Sequence, residues 1–389
     1  MPGKGISVSH FTAGFIAVMT GYTSSVVIVL QAADAAGASA AQSASWLLAL
    51  GLAMGITSIG YSLWYRIPIL TAWSTPGAAL LATALLAYSP GEAYGAFIMC
   101  AGLTVLSGVT GGFARLMHLI PLPLANAMLA GILLQFGLGI FTSLNSNPLL
   151  VSGMILLYLL GKRLLPRVAM LAVLLGGALI AYAQGLLSAD LPGWSLTTPV
   201  LTMPQFSLAA LLGVALPLFI VTLSSQNLPG IAVLRSHGYP VPVSPILTGT
   251  GFCNLLLAPI GGFSCNLAAI TAAMCMSEDV DEDPAQRYKA AVAAGVFYLL
   301  AGAFGAGIVG LFAAMPGEFV LTLAGLALLG TIGNSLKHAL SEPSSEEASL
   351  IAFLVTASGL TLWGIGSAFW GLAFGALAQL VVSWRAVAR

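Results

Sequence analysis

The chain has 389 residues, of which 59% are apolar and only 6% are charged. Soluble proteins carry about a quarter charged residues, so this composition excludes an ordinary soluble domain. Twelve Lys and Arg balance twelve Asp and Glu, and a net charge of zero gives no support for a nucleic-acid partner held by a basic surface. The composition predicts a multi-pass protein whose main partner is the lipid bilayer.

Uncharged stretches set the number of membrane crossings, because one helical crossing needs about 20 apolar residues. Residues 119–161, 238–277 and 348–384 carry no charged side chain and are too long for one crossing. We divide them at the turn signals near residues 145–148, 258–259 and 364–366. The first apolar run is interpreted as a span and not as a cleaved signal. The fourteen predicted spans are 11–31, 44–65, 68–88, 93–113, 120–141, 147–161, 167–187, 205–226, 244–257, 259–277, 286–313, 317–336, 347–363 and 366–384.

The basic residues support this count through the positive-inside rule, which places Lys and Arg of short loops in the cytoplasm. With the N-terminus inside, all twelve fall on the cytoplasmic side, from Lys4 to Arg389. The predicted outer loops carry only acids, namely Asp34, Glu92, Asp190 and Glu318. We therefore expect an even number of spans and both termini in the cytoplasm.

Weak internal similarity divides the fourteen spans into two sets of seven. Three short matches occur in the same order in both halves: 24–25 with 224–225, 68–69 with 259–260, and 129–131 with 323–325. Because seven is odd, the second half must enter from the opposite side. The predicted fold class is an all-α polytopic membrane protein with two inverted repeats, as in transporters that work by alternating access.

Spans 3 and 10 are predicted to be interrupted. Each begins with Pro-Ile, at Pro68 and Pro259, and passes through small or hydroxylated residues before a helical pattern starts. We expect an extended piece followed by a half-helix in each, with Thr75 and Asn266 as the helix caps. Facing half-helix starts would present free N–H groups to a shared space, which favours an anion.

The segments at 71–79, 225–235 and 261–273 are similar to those of the benzoate/proton symporter family (BenE), bacterial inner-membrane carriers. The resemblance looks continuous along the chain. It implies an architecture like that of the nucleobase and sulfate carriers, with a core domain at 1–118 and 193–314 and a gate domain at 119–192 and 315–389. It implies import of benzoate, coupled to protons, and leaves a homodimer through the gate domain open.

The candidate site follows from these interrupted regions and from the charge pattern. No acid lies deep inside a predicted span, because Glu318 and Glu347 fall within the first two residues of theirs. Neutral amides with half-helix ends can hold a carboxylate that a buried acid would repel. The aromatic residues could form the wall for an aromatic ring or could belong to the core, and the amides and serines could instead cap helices or allow close packing. The candidate substrate-binding residues are Tyr22, Trp73, Ser74, Thr75, Gly77, Ser225, Gln226, Asn227, Phe263, Ser264, Cys265 and Asn266.

Three other functions are alternatives to a benzoate carrier: a carrier for another substrate, a channel and an enzyme. Another aromatic acid or a nucleobase is the nearest alternative substrate, and an anion channel would need a continuous polar stripe. We predict no enzyme activity, no catalytic residue, no cofactor and no metal site, because no His, Asp or Cys constellation lies at depth. The proton could travel on the substrate as the free acid or through a loop acid, and the sequence leaves both open.

Overall fold

The computed structural model describes residues 6–113, 115, 121–166, 168–187, 193 and 195–387, which are mostly helical. Lys4, Arg167, Asp190, Arg389 and the predicted domain boundaries at 118, 119 and 192 lie outside the described residues. The main helices of the first half are α1 (Val8–Ala35), α2 (Ala40–Tyr65), α3 (Thr75–Ala84), α4 (Pro90–Val109), α5 (Leu122–Thr142), α6 (Pro148–Leu164) and α7 (Ala169–Ala183). Those of the second half are α8 (Leu208–Ser236), α9 (Val243–Leu257), α10 (Ile270–Cys275), α11 (Tyr288–Ala303), α12 (Gly305–Ala313), α13 (Gly317–Ala339), α14 (Glu346–Ala357) and α15 (Ser367–Val387).

Seven of the described helices are long and apolar enough to cross a membrane, or eight if the bent pair α11 and α12 counts as one span. This pair bends by 62°, so the predicted span 286–313 is a broken helix. The three predicted turn positions are confirmed, since α6 begins at Pro148, a 3₁₀ turn covers Ala258–Ile260, and Leu362 pairs with Ile365 before α15. The total of fourteen spans and the inverted repeat stay predictions.

Two short strands pair with each other at the interrupted regions. Strand β1 (Thr71–Trp73) pairs antiparallel with β2 (Cys265–Leu267), with Ala72 opposite Asn266. The extended pieces predicted before both half-helices are therefore present. Their pairing has a physical cause, because non-helical backbone inside a membrane must find hydrogen-bond partners within the protein. Two further bonds lengthen the ladder, from the Ser74 N–H to the Ser264 carbonyl (3.3 Å) and from the Ala268 N–H to the Leu70 carbonyl (2.9 Å).

Both predicted half-helix caps are wrong. Ser74, and not Thr75, is the N-cap of α3, because its hydroxyl accepts a bond from the Gly77 N–H at 2.9 Å. Asn266 lies inside β2 and caps nothing, since α10 begins at Ile270 and its N-cap residue Ala269 makes no side-chain bond. The Asn266 amide is engaged by its neighbours before the helix starts, which leaves α10 as a six-residue helix without a side-chain cap.

Glycines let the helices approach each other closely. A Cβ atom added at Gly51 would lie 2.6 Å from Gly302 Cα, so α2 and α11 pack backbone to backbone. A Cβ at Gly325 would lie 2.4 Å from the Phe136 carbonyl oxygen, which gives the same close contact between α13 and α5. Helix α4 packs along α9, and α5 also packs against α14. Small residues at such contacts are typical of helix pairs in membranes.

Candidate functional site

The strand pair separates the predicted site residues into two groups. Successive side chains of a strand point to opposite faces, so Ser264 and Asn266 share one face whereas Phe263 and Cys265 share the other. The first face is directed at α8, because the Asn227 side-chain nitrogen lies 2.9 Å from Asn266 Oδ1. The second face is directed at α2, because Cys265 Sγ lies 3.8 Å from the Thr57 hydroxyl oxygen. The two groups cannot line the same face of one site.

A chain of hydrogen bonds with a fixed direction occupies the face toward α8. The Leu267 backbone N–H can only donate, so the Asn227 atom 3.2 Å away must be its oxygen. The Asn227 nitrogen then donates to Asn266 Oδ1, and Asn266 Nδ2 donates to the Ser264 hydroxyl oxygen at 2.6 Å. All three side chains are at least 97% buried. We call Asn227, Asn266 and Ser264 the donor relay.

The relay ends in hydrogen-bond donors that remain free. Ser264 Oγ accepts from Asn266, and its hydroxyl hydrogen makes no bond to any described residue. The second hydrogen of Asn266 Nδ2 is also without a partner in the described part of the chain. Because both of these unpaired groups can donate a hydrogen bond, the arrangement suits an acceptor such as a carboxylate oxygen.

Helix α8 changes to π-helical geometry where it meets this face. Its second π turn spans Leu223–Asn227, and π turns are frequent at functional sites. The Ser225 hydroxyl donates to the Val221 carbonyl at 2.5 Å, which leaves it only as an acceptor toward a ligand. Gln226 is half-buried, and its amide has no hydrogen bond to a described residue. Gln226 is therefore the member of this turn with free donors.

The start of helix α3 carries two further predicted site residues, Thr75 and Gly77. Thr75 is half-buried, and its side chain makes no hydrogen bond to a described residue. Gly77 has a packing role, because a Cβ there would lie 2.8 Å from Leu218 Cδ1 on α8 and 2.9 Å from the Ser74 side chain. The sequence placed Gly77 in the site, and the structure places it where α3 and α8 touch.

The aromatic candidates make contacts that are separate from the donor relay. Trp73 donates from Nε1 to the Ser25 hydroxyl at 2.8 Å, and its ring meets that of Tyr22 edge to face at 4.6 Å. The Tyr22 hydroxyl is buried and has no hydrogen-bond partner among the described residues. Phe263 lies in a separate cluster with Trp46 and Phe97, at ring distances of 6.0 and 6.1 Å. The structure thus brings Tyr22 and Trp73 together and keeps Phe263 apart from them.

Two supports of the strand pair were missed in the sequence. Asn254 on α9 accepts from the Cys265 N–H at 2.9 Å and donates to the Cys265 carbonyl at 3.1 Å, so it serves both backbone groups of one strand residue. Thr71 of β1 contacts the hydroxyl oxygens of Thr57 and Ser58 at 2.7 and 2.9 Å. These supports could have been suspected from polar residues within apolar spans, because such residues must find hydrogen-bond partners inside the protein.

The site contains no ionised group. Its side chains are amides and hydroxyls, and among the described residues no group of three or more His, Cys, Asp and Glu could hold a metal ion. A fixed negative charge would repel an anion, and neutral donors avoid that repulsion. The geometry therefore shows a membrane protein with a buried cluster of hydrogen-bond donors at an antiparallel strand pair next to two helix starts.

Solved structures share this fold at low sequence identity. The murine solute carrier 26 family member A9 anion transporter, in the inward-facing state, aligns with a TM-score of 0.59 at 15% identity, covering 99% of this chain and 70% of that one. The transmembrane domain of a cyanobacterial bicarbonate transporter aligns with a TM-score of 0.54 at 15% identity, covering 96% of each chain. The fold is that of these membrane transporters.

The chain belongs to the benzoate membrane transport protein family, whose sequence model matches residues 4–381. Among similar proteins, the inner membrane protein YdcO of Escherichia coli K12 is 52% identical over 371 residues, which is 95% of either chain. The benzoate membrane transport protein of Acinetobacter baylyi is 40% identical over 376 residues, covering 97% of this chain and 95% of that protein. The expected family resemblance is confirmed.

Proposed function

We propose that this protein is a secondary active transporter that imports benzoate together with protons across the bacterial inner membrane. Transport proceeds by alternating access, in which a core domain of spans 1–4 and 8–11 moves against a gate domain of spans 5–7 and 12–14. The family membership and the similarity to the benzoate membrane transport protein of Acinetobacter baylyi support the substrate, and the similarity to the inner membrane protein YdcO supports the membrane. Both termini lie in the cytoplasm, and a homodimer through the gate domain belongs to the same proposal.

The donor relay is the observation that carries the substrate class. Its direction is fixed by a backbone N–H, and it ends in the free Ser264 hydroxyl hydrogen and the second Asn266 hydrogen. A carboxylate accepts from both, and charge-assisted hydrogen bonds of this kind are shorter and stronger than neutral ones. Burial of the relay strengthens the interaction, because the local dielectric is low.

Another aromatic acid shares the carboxylate and is the closest alternative. A nucleobase presents both donors and acceptors on its edge, so it would leave one of its own donors facing the donors of the relay. An anion channel would need a continuous polar path. The relay is instead a local cluster on the strand face that is directed at α8. These comparisons favour a carrier for an aromatic carboxylate.

The proton is carried on the substrate or through water near the relay in this proposal. Two acids near helix ends already make contacts within the protein. Glu92 accepts from the Ser207 hydroxyl at 2.8 Å and from the Ser89 N–H at 3.0 Å, and Asp281 lies 3.2 Å from His10 Nε2. We expect that neutralising any one of Asp34, Glu92, Asp190, Glu318 or the acids at 278–282 leaves gradient-driven uptake dependent on the pH gradient.

Uptake of labelled benzoate into proteoliposomes tests the function with a matched pair of variants. Ser264→Ala removes the terminal donor, and a hydrogen bond to a charged group contributes about 1.5–3 kcal/mol, which corresponds to a KM roughly 10- to 100-fold higher. Cys265→Ala, one residue away on the opposite face, should keep the KM near that of the wild type. Competition by salicylate, hydroxybenzoates and uracil ranks the substrates.

The proposal fails if the wild-type protein takes up no benzoate, or if uracil competes better than every aromatic acid. An unchanged KM in Ser264→Ala would remove the donor relay from the binding site even if benzoate is transported.

A further inference from the structure

A cavity lies apart from the donor relay, between α1, α3, α5 and α13. Its volume is about 270 Å³, and its polar lining comes from Gln31, Asp34, Thr83 and Gln135. Phe136 forms an aromatic part of its wall, together with leucine and alanine side chains. In the predicted domain division, α1 and α3 belong to the core domain whereas α5 and α13 belong to the gate domain. The cavity therefore lies where the two proposed moving parts meet, and we call it the outer cavity.

Two groups in the outer cavity lack partners. Gln31 Nε2 is buried and has no hydrogen bond to any described residue, although buried polar atoms are almost always paired. Asp34 lies three residues later on α1 and therefore on the same helix face, and its exposed carboxylate makes no hydrogen bond or ion pair to a described residue. Of the other two polar side chains, the Thr83 hydroxyl donates to the Leu80 carbonyl, and the Gln135 side-chain nitrogen donates to the Ala357 carbonyl.

Within the described residues, Gln31 Nε2 supplies the cavity with an unpaired donor, and the Asp34 carboxylate supplies it with an unpaired, charged acceptor. The Gln31 amide can donate to a carbonyl oxygen, and the Asp34 carboxylate can accept from an O–H or N–H. A protonated carboxylic acid offers that combination on one functional group, with its C=O toward Gln31 and its O–H toward Asp34. A carboxylate anion has no hydrogen to give, and Asp34 would repel its charge. The outer cavity is thus the chemical opposite of the donor relay, which favours the anion.

We propose that the outer cavity is a second binding site, selective for the protonated form of an aromatic carboxylic acid, with Gln31 and Asp34 as its two recognition groups. This inference rests on the proposed function for the identity of the acid, benzoic acid, and extends it to a separate site. If the N-terminus is cytoplasmic, the end of α1 that carries Asp34 faces the periplasm.

The test uses a cysteine in the cavity wall and a neutral analogue at one pH. Gly139 lines the outer cavity, and a Cβ atom added there meets no atom within 4 Å, so Gly139→Cys places a thiol without a clash. Cys253, which is half-buried, is replaced by Ser to lower the background. Gly102→Cys is the matched control, because its Cβ is also unobstructed and it lies on α4 outside the cavity lining.

The probes are benzamide, which carries a donor and an acceptor like the protonated acid, and benzoate. At neutral pH, benzamide should slow maleimide labelling of Gly139→Cys several-fold, benzoate should have little effect, and neither should alter labelling of Gly102→Cys. Adding Gln31→Leu should raise the benzamide concentration needed for protection about tenfold, as expected for one lost hydrogen bond. Asp34→Asn should let benzoate protect as well, because the repelling charge is gone; a purely structural role for Asp34 predicts no such change.

The inference is overturned if benzamide gives no protection, or if benzoate protects the wild-type cavity as well as benzamide does. This readout needs no transport. Absence of benzoate uptake by the wild-type protein would overturn the proposed function, and the labelling assay would still decide whether the outer cavity binds the protonated class of ligand.

Discussion

At the scale of single residues, the orientation of one amide decides the chemistry of the site. Asn266 accepts from Asn227 through Oδ1 and donates through Nδ2 to Ser264, and both contacts follow from the Leu267 backbone donor at the start of the relay. Reversing any amide would place two donors or two acceptors against each other. The site therefore has a fixed polarity without any ionised side chain.

Replacing Asn266 tests this polarity. Asn266→Asp cannot donate, so the Ser264 hydroxyl would donate to the new carboxylate and its hydrogen would be lost to the substrate. The added charge also repels benzoate. We expect binding about tenfold weaker in Asn266→Ala, from one lost hydrogen bond, and about a hundredfold or more in Asn266→Asp.

Equilibrium binding of labelled benzoate at neutral and acidic pH is the measurement. Acid should recover part of the binding in Asn266→Asp, because protonation removes the new charge, and should not recover it in Asn266→Ala. Equal affinities for Asn266→Asp and wild type at neutral pH would contradict the assignment.

The sequence identified Asn227, Asn266 and Ser264 by residue type, since polar side chains in apolar spans need internal partners. It could not separate them from Cys265 and Phe263, because an extended piece was predicted without its register. A shift of one residue along a strand exchanges the two faces. The pairing of Ala72 with Asn266, which fixes the register, is a long-range contact that no local pattern contains.

At the scale of elements, the start of α3 shows how local chemistry holds an interrupted span. The β1 strand ends at Trp73, and Ser74 caps the helix that follows, with Pro76 in its first turn. The sequence predicted a helix start at this place but chose Thr75 as the cap. The choice between neighbouring hydroxyl residues depends on where the strand ladder ends, because the Ser74 N–H is still bonded to the Ser264 carbonyl.

Thermal unfolding of the purified protein distinguishes the two hydroxyl residues. Ser74→Ala removes the cap and should destabilise the protein by about 0.5–2 kcal/mol, which lowers the midpoint of unfolding by a few degrees. Thr75→Ala keeps the cap and serves as the control. A midpoint lowered equally, or more, by Thr75→Ala would show that the cap is misassigned.

The local sequence pattern did not predict the full length of helix α8 or its π turns. The predicted span ended at residue 226, whereas the helix continues through two π turns to Ser236. Gly230 permits this course, because a Cβ there would lie 2.6 Å from Leu267 Cβ on β2. The π turn at Leu223–Asn227 places Asn227 against the strand, and nothing in its own sequence distinguishes it from an α-helical turn.

At the scale of the whole molecule, composition predicts a membrane protein, whereas the total of fourteen spans stays a prediction beside the seven or eight spanning helices of the described residues. Apolar content alone requires a membrane, and the described helices begin and end near the predicted turns. The packing partners, such as α4 with α9 and α5 with α13, are distant in sequence, so local patterns could not predict them. The orientation of the chain rests on the distribution of Lys and Arg.

Cysteine labelling in intact cells tests that orientation. Cysteines at Asp34 and Glu318 should react with a membrane-impermeant maleimide, whereas those at Lys162 and Lys337 should react only after the membrane is opened. All four positions are at least partly exposed. Reaction of the Lys337 variant in intact cells would contradict the fourteen-span topology with both termini inside.

Counterflow in proteoliposomes tests the central claim most directly. In the wild-type protein it distinguishes a carrier from a channel, whatever the role of any single residue. Vesicles loaded with unlabelled benzoate and diluted into labelled benzoate should accumulate the label transiently above its equilibrium level, since a carrier exchanges one bound molecule for another. The overshoot should persist in Cys265→Ala and be strongly reduced in Ser264→Ala. Equilibration without an overshoot in the wild-type protein, or no passage of the label at all, would contradict the account.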